Sequence, residues 1–252
     1  MKLLLTISFD GTDFKGYQVQ RNGRTVQAEL NRACEELFGK PCDAVGCSRT
    51  DSGVHAKMFC VAITEKGRPD LCSSLSAEKA PDALNAHLPD DISVNRAKWV
   101  DDGFHPRYAV VSKEYVYRIY NGRYRSPFLD RYSCHCPYGL DADRMNEAAS
   151  FFEGTHDFRA FMAAGSKIKD TRRHVFSASV SKEGDMILFS VRADGFLYNM
   201  VRIMAGTLVD AGTGRIRPED VKDIIRSGER RRAGKTMPPQ GLFLADVEYP
   251  KE

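Results

Sequence analysis

One aspartate in a short polar segment has the neighbours and spacing most typical of a catalytic residue. The segment is the octapeptide Arg49-Thr50-Asp51-Ser52-Gly53-Val54-His55-Ala56, and an apolar, strand-like run follows it. A carboxylate at such a loop-to-strand junction is held rigidly yet stays open to solvent. The neighbouring Arg49 favours the ionised form of Asp51, which could act as a nucleophile, a base or an electrostatic stabiliser. The alternative, an Arg–Asp pair that merely closes a turn, is the commoner outcome for an isolated Arg-x-Asp-x-Gly sequence.

Three further segments hold residues that could complete such a site. Tyr115 lies on an alternating, strand-like stretch, and Leu242 follows the turn sequence Pro238-Pro239-Gln240-Gly241. Arg202 lies within an apolar stretch that predicts a buried helix. Because an unpaired buried arginine is costly, Arg202 needs a carboxylate, and Asp51 is a candidate. The alternatives are a pair with another acid or extension of the side chain to solvent.

The elements that must position these residues follow a defined order in the first half of the chain. Residues 2–9 predict a strand, Thr25 caps a helix that Gly39 ends, and two strands flank the octapeptide. A helix within residues 76–87 and a strand at residues 92–100 complete the series. The order β-α-β-β-α-β is that of a ferredoxin-like unit.

The second half predicts a similar mixture of strands and helices. Its predicted strands are residues 113–121, 172–181, 186–193 and 242–249, and its predicted helices are residues 140–152, 196–209 and 218–226. A repeated sequence, Gly11-Thr12-Asp13-Phe14 against Gly154-Thr155-His156-Asp157-Phe158, favours duplication. We therefore predict an α+β fold of two pseudo-symmetric ferredoxin-like halves, residues 1–103 and 104–252. These halves would join into one mainly antiparallel sheet with flanking helices and a central basic cleft.

The composition excludes several classes of protein and favours a cytoplasmic one. The chain has 252 residues, 42% of them hydrophobic and 28% charged, which is ordinary for a globular protein. No stretch approaches the roughly 20 apolar residues that cross a bilayer, and the apolar N-terminal run lacks a signal-peptide cleavage site. The seven cysteines form no Cys-x-x-Cys pair and predict reduced thiols. The run Cys134-His135-Cys136 lacks the ligand spacing of a zinc site.

The basic residues are clustered, although the formal net charge is only +3. Four clusters occur, and aromatic residues close to three of them favour a nucleic-acid partner. The candidate RNA-binding residues are Lys15, Arg21 and Arg24 in the loop from Gly11 to Arg24, and Lys167 and Arg172 in a later cluster. The alternative for each of these residues is an ordinary solvated surface charge.

Together, the octapeptide and the three further segments resemble the TruA family of tRNA pseudouridine synthases. The resemblance extends over essentially the whole chain and keeps the order of the motifs. It implies an isomerase that converts uridine to pseudouridine at positions 38, 39 and 40 of the tRNA anticodon arm, without a cofactor or a metal ion. It also implies a homodimer whose bound tRNA touches both subunits. Departures from the family pattern are small: Ser48 and Ser52 replace a glycine and an alanine, and Met237 replaces an alanine.

The resemblance also implies a role for each candidate site residue. Asp51 would be the catalytic residue, and Arg202 would pair with it. Tyr115 would stack on the target base and could take the proton from C5. An apolar residue of the last strand, Leu242 or Leu244, would line the base pocket.

The chemistry of this isomerisation suits a single carboxylate. The reaction breaks the N1–C1′ bond, turns the base and forms a C5–C1′ bond, and it is redox-neutral overall. Whether Asp51 attacks C1′, adds to C6 or removes a C2′ proton stays open. A uridine in a duplex must first leave its stack, which costs a few kcal/mol, and the resemblance implies that Arg49 helps to extrude the base.

Two other functions also stay open on the sequence. A non-catalytic RNA-binding protein with two ferredoxin-like halves would bind RNA through sheet aromatics such as Tyr115 and Tyr117, but it leaves Asp51 without a purpose. A glycosidase-like hydrolase commonly needs a second carboxylate about 5 to 10 Å from the first. The octapeptide and the three further segments contain no second acid apart from Glu114, which precedes Tyr115.

Overall fold

The computed structural model of the chain describes residues 1–166 and 168–250. The described residues form strands and helices that divide into two compact units. One unit is Met1–Val111 with the segment that begins at Leu244, and the other is Ser112–Phe243. The predicted α+β class with a large, mainly antiparallel sheet is confirmed. The division into halves at residues 103 and 104, and the central basic cleft, stay predictions.

The first unit has the predicted β-α-β-β-α-β order. Its elements are β1 (Lys2–Phe9), α1 (Val26–Phe38), β2 (Cys42–Gly46), β3 (His55–Glu65), α2 (Ala80–Asn85) and β4 (Ile92–Val100). Strand β1 pairs with β3 on one side and with β4 on the other, and β2 pairs with the far side of β3. All of these pairs are antiparallel, so the spatial order is β4-β1-β3-β2.

The ends of α1 follow from its sequence. The Thr25 hydroxyl accepts a hydrogen bond from the Ala28 amide at 3.4 Å, and Gly39 ends the helix in the left-handed conformation, with φ of 68°. Between these residues, apolar side chains at helical spacing are buried, as are alternate residues of β1. The fully buried residues of the two elements include Val26, Leu30, Ala33, Cys34, Leu3, Leu5 and Ile7. This packing supports the sheet from which the Asp51 loop emerges.

The second unit is built on an antiparallel sheet with helices from its C-terminal part. Its elements are β5 (Ser112–Tyr120), β6 (Cys134–His135), α3 (Ala142–Ser150), β7 (Gly154–Asp157), β8 (Arg172–Glu183), β9 (Met186–Ala193), α4 (Met200–Gly212) and α5 (Asp220–Ser227). The order β5-β9-β8-β7 is antiparallel throughout, and β6 pairs with β5 in parallel. The last strand, β10 (Leu242–Glu248), begins in this unit.

The structure differs from the predicted elements at several points. Helix α4 begins at Met200 rather than at residue 196, because Asn199 adopts a left-handed conformation with φ of 60°. The two short strands β6 and β7 were not predicted. The repeated sequences also differ in structure: the copy that begins at Gly11 lies in a loop, whereas the copy that begins at Gly154 forms β7. Among the described residues, no helix has the length and hydropathy needed to cross a membrane.

Candidate active site

The loop between β2 and β3 presents Asp51 with its side chain partly exposed. Arg49 is exposed, whereas Thr50 is buried and its hydroxyl makes no hydrogen bond to any described residue. The Val54 amide donates to the Asp51 carbonyl at 3.2 Å, and Gly53 has a positive φ of 78°. These two features close a tight turn, so the loop returns directly into β3 after the carboxylate.

A second loop, residues 10–17, holds the Asp51 loop by main-chain hydrogen bonds, and we call it the clasp. The Tyr17 amide donates to the Thr50 carbonyl at 3.2 Å, and the Gly53 amide donates to the Phe14 carbonyl at 3.3 Å. One of these bonds precedes the aspartate in the chain and the other follows it. The clasp therefore restricts the backbone on both sides of the candidate catalytic residue.

Two glycines allow the clasp to lie against the loop. A Cβ atom on Gly11 would lie 1.9 Å from the Val54 carbonyl oxygen, and one on Gly16 would lie 2.6 Å from the Thr50 carbonyl oxygen. Gly16 also has φ of 92°, which disfavours any side chain. The approach is thus one of backbone against backbone, and a side chain at Gly11 or Gly16 would push the two loops apart.

His55 ties the start of β3 to the clasp. The imidazole is buried, with 1% of its surface exposed. Its Nδ1 accepts a hydrogen bond from the Gly11 amide at 3.0 Å and lies 3.1 Å from a carboxylate oxygen of Asp10. These contacts give His55 a structural role, because they join the start of β3 to the clasp.

In the second unit, Tyr115 and Tyr117 lie on the same face of β5. Tyr115 is buried, and its ring meets Phe196 edge-on, with ring centroids 5.0 Å apart. The Tyr117 hydroxyl donates to the Pro238 carbonyl at 2.7 Å. Burial raises the pKa of Tyr117 well above its ordinary value, so this hydroxyl stays a neutral donor.

Arg202 lies in the first turn of α4 and is partly buried. Its Nε donates to the Met237 carbonyl at 2.7 Å, and its Nη1 donates to the Asn199 side-chain oxygen at 2.6 Å. Asn199 immediately precedes the helix and has a left-handed backbone conformation. Two neutral oxygen atoms therefore orient the guanidinium, and its predicted pairing with Asp51 stays a prediction.

The segment at residues 237–241 links the three candidate elements of the second unit. The Met237 carbonyl accepts a hydrogen bond from Arg202, and the Pro238 carbonyl accepts one from Tyr117. A Cβ atom on Gly241 would lie 2.8 Å from the Arg118 carbonyl oxygen of β5. Leu242 follows directly and is buried, with 6% of its surface exposed. The segment thus connects the strand of Tyr115, the helix of Arg202 and the first residue of β10.

Comparison with known proteins decides the family. A family model described as tRNA pseudouridine synthase matches residues 5–109 and 148–250. The chain belongs to this family. The matched ranges include the Asp51 loop, Arg202 and Leu242, whereas Tyr115 lies between them.

Individual relatives match over almost the whole chain. The tRNA pseudouridine synthase A of Bacillus pumilus (strain SAFR-032) is 44% identical, over 99% of this chain and 99% of its own length. That of Thermoanaerobacter sp. (strain X514) is 43% identical, over 98% and 99%. The match to a chain of a solved Cbf5-Nop10-Gar1 complex covers 82% of this chain and 54% of that chain, at 13% identity. Its TM-score of 0.32 is too low to bear on the fold. The resemblance to this isomerase family is confirmed.

As in any RNA-modifying enzyme family, basic surface residues are candidates for contact with the substrate. Lys15, Arg21 and Arg172 have exposed side chains, and none of them forms an ion pair with another described residue. Lys167 lies outside the described residues. These predicted RNA-binding residues stay predictions.

Arg24 is engaged within its own unit. Its guanidinium donates to both carboxylate oxygens of Asp91, at 2.5 and 2.9 Å, and to Glu29 at 2.8 Å. It also lies over the ring of Phe14, 4.2 Å from the centroid. These contacts anchor the clasp, so they favour a structural role for Arg24 over the predicted contact with RNA.

Sequence reasoning missed several residues that shape the site of this synthase family member. The clasp glycines Gly11 and Gly16 carried one available signal, since glycines between predicted elements mark turns and loops. Asn199 and Met237 gave no such signal, because their contribution depends on one unusual backbone conformation and on one main-chain carbonyl. Within the described residues, no group of three His, Cys, Asp or Glu side chains could hold a metal ion.

Proposed function

We propose that the chain converts uridine to pseudouridine at positions 38, 39 and 40 of the tRNA anticodon stem-loop, with Asp51 as the catalytic residue. The names of the relatives, which match over nearly their full length, support tRNA as the substrate. The single observation that carries the assignment of Asp51 is its loop. A partly exposed carboxylate is held on both sides by a backbone clasp, which is the preorganisation that catalysis requires.

The other candidate residues act around this carboxylate. Arg202 pairs with Asp51 and keeps it ionised, because a nearby opposite charge lowers the pKa of an acid. Tyr115 stacks on the extruded base, and Leu242 lines the pocket that retains the base after the N1–C1′ bond breaks. The C5–C1′ bond then forms, C5 loses its proton and N1 gains one. Arg49, which is exposed beside the carboxylate, helps to extrude the base.

The partner is the anticodon arm of tRNA, bound by a homodimer in the cytoplasm. Lys15, Arg21 and Arg172, which are exposed, contact the phosphates, and Lys167 is a further candidate for such a contact. The affinity therefore falls as the salt concentration rises. All seven cysteines are free thiols, which suits a reducing compartment. The homodimer rests on the resemblance to the family.

The change Asp51→Asn tests this proposal. It keeps the size of the side chain and removes its charge, so we expect pseudouridine formation to fall by at least about a thousandfold. Binding of tRNA should survive, because the phosphate contacts are unaffected. Tritium release from 5-tritiated uridine in tRNA measures turnover, and a filter-binding assay measures affinity. The matched control is Asp90→Asn, since Asp90 is an exposed loop residue.

The same assays separate the alternatives. Turnover that persists in Asp51→Asn would refute the role of Asp51. A wild-type chain that binds tRNA without releasing tritium would favour the non-catalytic RNA-binding protein. Free uracil among the products would favour a hydrolase.

A further inference from the structure

Arg230 differs from the two arginines that follow it in the chain. Arg231 and Arg232 are exposed, and Arg231 pairs with Glu229 at 2.8 Å. Arg230 is partly buried and directs its guanidinium back onto its own chain. Its hydrogen bonds reach the Ala233 carbonyl at 3.2 Å, the Gly234 carbonyl at 2.9 Å and the Thr236 hydroxyl at 3.1 Å. Burial lowers the pKa of Arg230, but a guanidinium stays charged in proteins.

These three bonds give a defined shape to residues 230–237, which we call the strap. A guanidinium is a rigid, planar fork, so three acceptors on one short segment fix the segment's curvature. An ammonium group has three donors but no fixed plane on its flexible stem, so it would hold these acceptors less rigidly, and an apolar side chain would hold none of them. The shape of the strap therefore depends on one side chain.

The strap lies directly against α4, backbone to backbone. The Gly234 amide donates to the Thr207 hydroxyl at 2.9 Å, and that hydroxyl donates to the Ile203 carbonyl at 2.9 Å. A Cβ atom on Gly206 would lie 1.9 Å from the Lys235 carbonyl oxygen. With so little space between the two segments, a change in the strap's curvature must shift the strap along or away from the helix.

The last residue of the strap holds Arg202 from two sides. The Met237 amide donates to the Arg202 carbonyl at 3.2 Å, and the Met237 carbonyl accepts from the Arg202 Nε at 2.7 Å. The hydrogen bond from Nε sets the plane of the guanidinium, and the Asn199 side-chain oxygen accepts a second hydrogen bond from Nη1. Displacement of the strap would therefore turn the guanidinium of Arg202 without removing any atom of it.

We propose that Arg230 is a positioning residue for the reaction, which acts through the strap to orient the guanidinium of Arg202. The role rests on the proposed function, in which Arg202 pairs with the catalytic carboxylate. The three hydrogen bonds of Arg230 all stay within the strap, so its effect on the reaction passes through Arg202. Its loss changes the alignment of Arg202 and hence the turnover number, whereas the surface that binds tRNA stays intact.

The test compares Arg230→Met with Arg231→Met. Methionine keeps a long, unbranched side chain and removes every donor, and Arg231 is the adjacent, exposed residue of the same type. Turnover is measured by tritium release at saturating tRNA and is expressed per folded enzyme. We expect kcat to fall about tenfold or more in Arg230→Met, because small misplacements of a catalytic group are costly. In Arg231→Met, kcat should stay at the wild-type value, and KM should change little in Arg230→Met.

A double-mutant cycle with Arg202→Lys identifies the route of the effect. If Arg230 acts through Arg202, the double variant loses less than the product of the two single losses. Losses that multiply, or equal kcat values in Arg230→Met and wild type, would overturn the proposal. Should Arg230→Met not fold, Arg230→Lys carries the same test, because it keeps the charge and loses the fork. A wild-type chain that forms no pseudouridine would instead overturn the proposed function itself.

Discussion

Two regions of the molecule hold their key side chains by different means. The Asp51 loop is fixed mainly by main-chain hydrogen bonds to the clasp, supported by one bond from the Ser52 hydroxyl to the Phe14 carbonyl, and glycines allow the close approach. Arg202 is fixed by a carbonyl of the strap and by the side chain of Asn199, and the strap depends on Arg230. The first region should therefore be sensitive to added volume, and the second to lost donors.

The largest expected effect comes from adding volume to the clasp with Gly11→Ala. The new Cβ would lie 1.9 Å from the Val54 carbonyl oxygen, which is rigid backbone and cannot move aside cheaply. We expect the free energy of unfolding to fall by about 3 kcal/mol or more, at the upper end for overpacking. Urea unfolding followed by circular dichroism measures the change. Turnover per folded molecule should also fall, because the loop of Asp51 must shift.

Gly139→Ala is the matched control for this substitution. A Cβ atom on Gly139 would meet nothing within 4 Å, and the residue does not require a positive φ. Its unfolding free energy and turnover should equal those of the wild type. Equal stability of Gly11→Ala and Gly139→Ala would show that the clasp is not a close backbone contact in solution.

Much of the framework around the two regions could be predicted from the sequence. The hydroxyl of Thr25 predicts the start of α1, because such a group caps a helix N-terminus. Gly39 and Gly228 predict the ends of α1 and α5, because glycine readily adopts the left-handed conformation at a helix C-terminus. The hairpin of β8 and β9 follows from two strand-like stretches on either side of Glu183-Gly184-Asp185. These signals are local, and local chemistry decides each of them.

The contacts that position the site could not be predicted in the same way. The clasp joins Phe14 to Gly53, and the strap joins Met237 to Arg202. The clasp bond joins an amide to a carbonyl, and Met237 contributes only its amide and its carbonyl to Arg202. Every residue carries these main-chain groups, so the residue types of Phe14, Gly53 and Met237 do not predict the contacts. The start of α4 was missed for a related reason, because Asn199 is one of several residues that tolerate a left-handed conformation only in a suitable tertiary context.

A pair of buried tyrosines sharpens the contrast between the regions. Tyr17 of the clasp donates its hydroxyl to the Ala44 carbonyl at 2.9 Å, and Tyr117 donates to the Pro238 carbonyl at 2.7 Å. Tyr17→Phe and Tyr117→Phe should each lower the unfolding free energy by about 1 kcal/mol. Only Tyr117→Phe should also lower kcat, by about threefold, because Pro238 follows the residue that holds Arg202. The clasp uses the amide of Tyr17, which the substitution leaves in place.

Urea unfolding and tritium release at saturating tRNA distinguish the two variants. An equal fall in kcat in both variants would contradict the contrast between the clasp, which acts through main-chain bonds, and the segment at residues 237–241, which is held by side-chain donors. An unchanged kcat in Tyr117→Phe would mean that the segment at residues 237–241 keeps its position without this hydroxyl.

The smallest expected effect lies beside the catalytic residue, at Thr50. Its buried hydroxyl makes no hydrogen bond to any described residue, so Thr50→Val replaces an unsatisfied polar atom by a methyl group of similar shape. We expect the unfolding free energy to stay unchanged or to rise by up to about 1 kcal/mol. Thr25→Val is the matched comparison, because the buried Thr25 hydroxyl caps α1, and its loss should cost about 1 kcal/mol. Opposite signs in urea unfolding would show that the Thr50 hydroxyl does not help to hold the loop of Asp51, whereas a loss at Thr50 equal to that at Thr25 would reveal a side-chain contact there.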